Sequence, residues 1–483
     1  MGSRARVPKT VAVKMALSID ERTRIILDSQ SKIANCEWND LLQMCNEARA
    51  RLDAAGEGNG AQDDVYLLYG KRLLRDRMVG LKAQKPFYRS LYSSVSKNVA
   101  LRLSRAIRDT RAPALSGRAK RLEWPHYNRW QSEWFSLEYD EPGKGYRFIQ
   151  GAIELSLGTN EAGERLSLRL PLKEPRPRFL RANSVRALRI VREHGIYYAI
   201  ATVSRQIAAQ KPLSEHPRII ALDPGHINPV TGYDTAGNVT MVKRPLWLAR
   251  QDELIDKTRA KRDHCVRKSI KMITPTSGKT YYIASRRWRS FDDVLRGLLH
   301  QRQEQIKTWC YSVANRFYRD YDIVSMGNYS PHGGGRSRGE RRSMNNRSLI
   351  GHLRSTFGYM AERSGKQFHT WNERDSTRTC ANCKTVLPST IPPNIRIWVC
   401  PVCNMVNDRD ANAAINGLDR TLVSYQLPCS GHHEINSWCT LRLTEAGVAQ
   451  VISTPESVLG ANYSGTNARL SNDWRDSQSP MPA

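Results

Sequence analysis

The chain has 483 residues, with 75 Lys plus Arg against 46 Asp plus Glu, a formal charge of +29 and a pI near 10.0. Cation in that excess opposes compaction through self-repulsion and suits a protein that holds a polyanion, so nucleic acid is the expected partner. A membrane role is not expected, because there is no apolar run of about 18 residues, no signal peptide, and Arg6 stands where a myristoylation motif needs Ser or Thr. Residues 9–18 alternate as a strand, and 19–108 turn helical, with Leu27, Ile33, Trp38, Leu41, Leu42 and Met44 falling mostly on one face. Gly56-Glu-Gly-Asn-Gly-Ala splits that region into two helical pieces. From Pro125 to Pro212 the period becomes two, giving six short strands that suggest a barrel or sandwich.

A second architecture opens at Arg218. Ile219-Ile-Ala-Leu-Asp223 reads as a buried strand ending in an acid; Pro224-Gly225 turns, and 237–242 can pair back beside it. Helical stretches follow at about 245–272 and 285–318, then a strand at 321–326, a helix at about 344–363, a strand at 367–373, and a helix from Asp410 to Leu422. Strands, crossover helices and acids at strand ends make an α/β core. Residues 426–483, rich in Ser, Asn and Pro, are expected to be largely disordered.

Cys380-Ala-Asn-Cys383 and Cys400-Pro-Val-Cys403 stand sixteen residues apart, and Asp410 follows seven residues after the second pair. Two such pairs form the four-thiolate, closed site of a structural zinc ribbon. The other cysteines are scattered and fit a reducing compartment. Chemistry therefore belongs to the acids beside the ribbon. Taken singly, Asp223 before Pro-Gly reads as a turn residue and Asp410 as a helix N-cap. Taken together in a basic chain, they read as carboxylates that hold two Mg2+ or Mn2+ ions for phosphodiester hydrolysis, one activating water and one stabilising the leaving oxygen.

Ile-Ile-Ala-Leu-Asp223-Pro-Gly, the four-cysteine ribbon and Asp408-Arg-Asp410-Ala-Asn-Ala-Ala-Ile-Asn resemble the TnpB nucleases, the type V CRISPR effectors and the Fanzors. The resemblance implies a multidomain α+β chain. A helical recognition lobe (19–124) would be inserted in a β-barrel wedge domain (1–18 and 125–212). An RNase H-like (RuvC) α/β nuclease domain (213–377 and 408–425) would follow, with the zinc ribbon at 378–407. It implies an RNA-guided DNA endonuclease with guide RNA and double-stranded target DNA as partners, cutting beside a short flanking motif. Most members place a glutamate at the end of the middle nuclease strand, but here that strand runs Ile323-Val-Ser-Met-Gly327-Asn328. Either the site is inactive, leaving an RNA-guided binder, or Glu373 at the end of the next strand replaces the missing acid; the alternative for Glu373 is a solvated strand-end charge. We favour the relocated acid, giving Asp223, Glu373 and Asp410 as catalytic metal ligands. A reading from another class is a guide-independent zinc-ribbon transposition factor. The expected location is the bacterial cytoplasm, at the nucleoid, or the nucleus of a eukaryotic host.

Weaker features remain. Arg118 to Phe135 interleaves cations with Trp124, Tyr127, Trp130 and Trp134, as a base-stacking surface or as core at a lobe junction. The Gly- and Arg-rich loop 333–342 reads as a lid over the acids or as a basic linker. Cys429, His432, His433 and Cys439 match no ribbon spacing, and no second zinc site is expected from them.

Overall fold

The computed structural model describes residues 6–55, 62–70, 72–110, 123–128, 136–160, 162–177, 180, 184–210, 212–273, 280–329, 348–392, 394–429, 433–444 and 447–459. The loop 333–342, His432, Trp130, Trp134 and everything beyond 459 lie outside the described residues. Two compact units divide the chain, Pro8–Gln206 and Ile207–Ala483 with Met1–Val7. No described helix is long and apolar enough to cross a membrane.

The first unit begins with β1 (Arg6–Ala16) and continues through α1 (Glu21–Ala55), α2 (Gln62–Tyr69), α3 (Leu73–Gln84), a single 3-10 turn (Pro86–Ser90) and α4 (Ser93–Asp109). Val95, Val99, Leu103 and Ile107 recur every four residues on α4 and are all buried, which is what fixes it as a helix against its neighbours. The helical region breaks more often than the sequence pattern suggests. Gly70 closes α2, its N–H reaching Tyr66 O at 2.7 Å where a Cβ would overlap that carbonyl, and Pro86 starts a fresh turn because it brings no donor.

Six strands follow: β2 (Ser136–Tyr139), β3 (Tyr146–Ile149), β4 (Ala152–Thr159), β5 (Arg165–Pro171), β6 (Val185–Glu193) and β7 (Ile196–Ala208). They form two sheets, ordered β1-β7-β6-β2 and β3-β4-β5, joined at one corner by the bridge between Leu17 and Leu172. Leu137, Tyr139, Ile153, Leu155, Leu170, Leu188 and Ile190 face a common core. Period-two burial along β4 accounts for this, since each strand gives alternate side chains to the interior.

The second unit is built on a seven-stranded sheet with the order β14-β13-β8-β9-β10-β17-β18. In chain order these are β8 (Ile219–Pro224), β9 (Val230–Asp234), β10 (Asn238–Val242), β13 (Ile323–Gly327), β14 (Gln367–Trp371), β17 (Ser437–Thr444) and β18 (Gly447–Ser453). A separate hairpin, β11 (Ile270–Ile273) and β12 (Thr280–Ile283), stands where the sequence pattern suggested the end of a helix. The helices are α5 (Leu246–His264), α6 (Arg286–Asp320), α7 (Ile350–Ser364), α8 (Arg409–Ser424) and α9 (Pro455–Leu459). Alternation sorts the faces. Ile220, Leu222, Val324 and Met326 pack with Leu248, Trp309, Phe317 and Phe357 of α5, α6 and α7. Ile219, Ala221 and Ile323 pack on the other side with Ala411, Ala414, Ile415 and Leu418 of α8.

Two expectations are corrected here. The neighbour of β8 is β9, antiparallel, and 238–242 pairs one strand further out. Gly232 eases that approach: a Cβ there would sit 2.7 Å from Leu222 Cδ2 and 2.8 Å from Ile220 Cδ1, so a larger residue would push those side-chain ends aside. The segment 426–483 is also not disordered throughout. β17 runs parallel to β10, with Val239 opposite Trp438, and β18 folds back on it. Trp438 is 2 % exposed in the core on the α8 side, and one buried indole anchors a tail whose average composition is polar.

Candidate active site and zinc ribbon

The ribbon is built from two equivalent knuckles. In the first, Lys384 N donates to Cys380 O (3.0 Å) and Cys380 N to Thr385 O (2.9 Å); in the second, Asn404 N donates to Cys400 O and Cys400 N to Met405 O, both at 2.9 Å. Lys384 and Asn404 take the same left-handed backbone, φ 58° and 59°, which turns each pair of thiols inward. Cys380 Sγ lies 3.6 Å from Cys403 Sγ, Cys383 Sγ lies 3.6 Å from Cys400 Sγ, and all four sulfurs fall within 4.8 Å of one another. Tetrahedral zinc with bonds of about 2.3 Å requires sulfurs about 3.7 Å apart, so the four thiols fit structural zinc. Burial pushes the Cys380 thiol up to about 12. In the metal-free ribbon that sulfur is a neutral thiol, and zinc would bind it as thiolate.

The ribbon ends in the hairpin β15 (Ile397–Val399) and β16 (Val406–Asp408), which delivers the chain to α8. Asp408 is the N-cap: its Oδ1 accepts from Asp410 N (3.0 Å) and Ala411 N (2.9 Å). The capping reading of Asp410 is thereby overturned, because Asp408 does that work and leaves the Asp410 carboxylate for other partners. These are Arg396, which donates to Asp410 Oδ2, and Asn228 Nδ2 at 3.5 Å, itself held by Lys243. Arg396 was not singled out from the sequence. The signal was the hairpin itself, since Arg409 N donates to Arg396 O (2.7 Å) and so fixes Arg396 beside the helix start.

Parity along the strands brings the acids to one side. Ile219 and Ala221 face α8, so Asp223 does too; Ser325 Oγ lies 2.7 Å from Thr421 Oγ1 on α8, so Gly327 shares that face. On β14, Trp371 packs against Gly417, where a Cβ would come within 2.6 Å of the indole, and Glu373 follows two residues later on the same side. β8, β13 and β14 are parallel, with Met326 opposite Leu222 and Gly327 opposite Trp371. Asp223, Gly327 and Glu373 therefore come to neighbouring strand ends on the face that α8 covers.

Glu373 occupies the place of the missing middle-strand acid. A Cβ on Gly327 would overlap the Glu373 carboxylate and its Cγ. Glu373 N donates to Asn328 Oδ1 (3.1 Å), and Arg354 Nη2 bonds Gly327 O (2.8 Å) and Tyr329 O (2.9 Å), fixing both strand ends. Its Oε1 is buried without a hydrogen-bond partner. Burial raises the Glu373 carboxyl to about 7, against the pull of the Tyr329 backbone, Arg354 and Arg420. Asp223 is raised well above the usual carboxylate range by burial and by repulsion from Asp410 and Glu373. The reading of Glu373 as a solvated strand-end charge does not describe this arrangement.

An orphaned buried oxygen on Glu373, repulsion of Asp223 by Asp410 and Glu373, and a glycine that leaves room are what a cation site asks of its residues, so the acids fit Mg2+ or Mn2+. Their oxygens are less tightly gathered than the thiols; among the described residues, the three acids do not form a group with all ligand atoms within 4.8 Å.

Elsewhere, the described part of the basic aromatic segment lies along α1. Trp124 Nε1 donates to Asn46 Oδ1 (2.9 Å), its ring carries Arg49 at 4.6 Å, and it packs on a core cluster. Tyr127 is 48 % exposed. Cys439 sits on β17 opposite Thr240, whereas Cys429 and His433 converge on Asp419 of α8.

The fold and site define a mixed α/β protein with three strand- and helix-end acids and an inserted zinc ribbon. Residues 351–417 match the family model for the Cas12f1-like TNB domain. The chain folds like Cas12f1 solved with sgRNA and target DNA, at 11% identity and TM-score 0.54, covering 85% of this chain and 98% of that one. CasPhi-2 (Cas12j) bound to crRNA aligns at 11% identity and TM-score 0.38 over 87% of this chain and 98% of that one. The Alicyclobacillus acidoterrestris C2c1 complex with single-guide RNA aligns at 10% and 0.34 over 92% and 74%. No curated protein sequence matches the chain. Residues 351–417 thus share a sequence family with the Cas12f1-like TNB domain, and 85% of the chain shares the fold of Cas12f1.

Proposed function

We infer that the protein is an RNA-guided DNA endonuclease of the TnpB and type V kind. Its RuvC-like centre is Asp223, Glu373 and Asp410, and residues 8–206 form its wedge and recognition region. The observation that carries this reading is the Glu373 carboxylate lying in the space that Gly327 leaves open. An inactive descendant would have no need to keep a second acid there with a buried, unpartnered oxygen. Mg2+ or Mn2+ bound among the acids would supply an activated water and stabilise the leaving oxygen.

The chain's own residues do the rest. Asp408 sets where α8 begins and so where Asp410 stands. Asn328 and Arg354 hold the strand ends that carry Gly327 and Glu373. Arg396 and Arg409 act on Asp223, and Arg354 and Arg420 on Glu373, forming a cationic rim that draws a phosphodiester to acids that would otherwise repel it. The +29 charge and the fold-level likeness to Cas12f1 support guide RNA and double-stranded DNA as partners.

The test is purification followed by sequencing of the copurified RNA and a cleavage assay on a matched duplex with Mg2+. A discrete RNA and cleavage lost in Asp223→Ala and Asp410→Ala are expected. A discrete RNA with no cleavage by the wild type would make the protein a guided binder, and no RNA at all would make it a guide-independent ribbon protein.

A further inference from the structure

The C-terminal part of α8 carries a second cluster, away from the acids and from the ribbon sulfurs. Asp419 Oδ1 accepts from Cys429 Sγ at 2.9 Å and from His433 Nε2 at 2.5 Å. All three ligand atoms lie within 4.8 Å of one another. Asp419 comes from the helix, and Cys429 and His433, ten and fourteen residues further on, come from the segment that leaves α8 for β17. The side chains of His433 and Asp419 are 7 % and 17 % exposed, and Cys429 opens to solvent.

We propose that Asp419, Cys429 and His433 form a second zinc site, with solvent in the fourth position. A carboxylate, a thiol and an imidazole make a donor set that suits zinc and that harder cations such as Mg2+ do not select. Bonds of about 2.0–2.3 Å at tetrahedral angles place such donors about 3.3–3.6 Å apart, so the cluster opens by less than about 1 Å to accept the ion. The hydrogen bonds now closing it are made by the thiol and imidazole protons. Binding releases the thiol proton, and the His433 Nε2 proton is released from an imidazolium or moves to Nδ1 in the neutral ring, so that the ion takes the place the two protons hold.

The surroundings favour a metal ligand. Lys384 pairs with Asp419 Oδ2, the oxygen that faces away from Cys429 and His433, and so orients the carboxylate from behind. The Tyr233 ring meets the His433 ring edge-on at 5.6 Å, and Tyr233 Oη donates to Glu434 O at 2.8 Å, which holds the imidazole in place. Lys384 is also the left-handed residue of the first ribbon knuckle. The second zinc would thus pin the segment entering β17 to the end of α8, beside the ribbon. It stands independently of the nuclease reading.

Metal analysis of the full chain, purified from zinc-supplemented culture and desalted, tests this. The wild type is expected to hold about two zinc per chain, and Cys429→Ala or His433→Gln about one, with Cys403→Ser losing a different one. A chelator that colours on taking zinc should release one equivalent quickly, from the solvent-open site, and one slowly; the Cys429→Ala protein should show only the slow one. Cys429 is exposed, so its replacement leaves the fold intact, and the fast and slow release from the wild type is a readout that needs no variant. One zinc in the wild type, or two that survive both variants, would overturn the proposal and leave a hydrogen-bonded triad.

Discussion

The Glu373 side chain fills the space of the Cβ that Gly327 lacks. The two residues lie on adjacent parallel strands, and the acid reaches across from one strand end to the other. The exchange works in one direction. The glutamate's present position requires the glycine, and in the proposed reading the glutamate makes good the acid that the middle strand lacks.

Gly327→Ala is therefore expected to push the Glu373 carboxylate out of line. A displacement of that size costs about 10²-fold in rate when reacting groups must be held in register. Guided DNA binding should be unchanged, because no charge is altered. Single-turnover cleavage beside a gel-shift measurement reads both. Glu373→Gln should abolish cleavage and leave binding intact; cleavage by Glu373→Gln at the wild-type rate would refute the relocated acid.

Cys403→Ser should lower the zinc content by about one per chain, and should also slow cleavage. The link is structural: Cys400 and Cys403 lie between the two strands of the hairpin that carries Asp408, and Asp408 starts the helix of Asp410. Elemental analysis and a cleavage time course on the same sample check it. Zinc loss with unchanged cleavage would separate the ribbon from Asp410.

Asp408→Ala removes the cap from two backbone donors and should cost about 1 kcal/mol of stability. Asp408→Asn keeps an acceptor and should recover most of it. Urea unfolding of the two variants, compared at constant slope, distinguishes the cap from a general effect of the lost charge.

Glu37 of α1 is wholly buried, receives Ser96 Oγ at 2.7 Å, and has an Oε2 with no partner. Burial raises its carboxyl from 4.5 to about 7, against the Ser96 hydrogen bond and Lys82. The folded state then binds a proton that the unfolded chain has released, so stability is full below pH 4.5 and is lost as pH rises through about 7. The loss is on the order of 3 kcal/mol. Glu37→Gln should abolish this dependence and stabilise the helical region at pH 8. Thermal unfolding between pH 5 and pH 8 decides it; parallel curves for both proteins would refute the shift.

The strands, the four-cysteine cluster and the strand-end place of Asp223 were legible because each follows from a local rule. Period-two burial marks the strands, Cys-x-x-Cys spacing marks the paired thiols, and an acid after Ile-Ile-Ala-Leu marks a strand end. What escaped depends on how the chain turns back on itself between neighbouring segments, which no periodicity within one segment encodes. Nothing local to Val230–Asp234 says that it slides between Ile219–Pro224 and Asn238–Val242; Gly232 eases that approach only where it meets Ile220 and Leu222. Arg396 acquires its partner through hairpin register, and Asp419 meets His433 only once the tail has turned back. The tail misled because average polarity hides one buried tryptophan.

That tail bears on any effort to shorten the protein for delivery. β17 covers the outer edge of β10, and β18 covers β17. A chain cut after Tyr425 would keep every acid and every ribbon cysteine, yet leave the backbone of Asn238–Val242 bare beside Val239 and Met241. An unprotected apolar edge of that kind recruits strands from other copies, so such a miniature would fail first by aggregating.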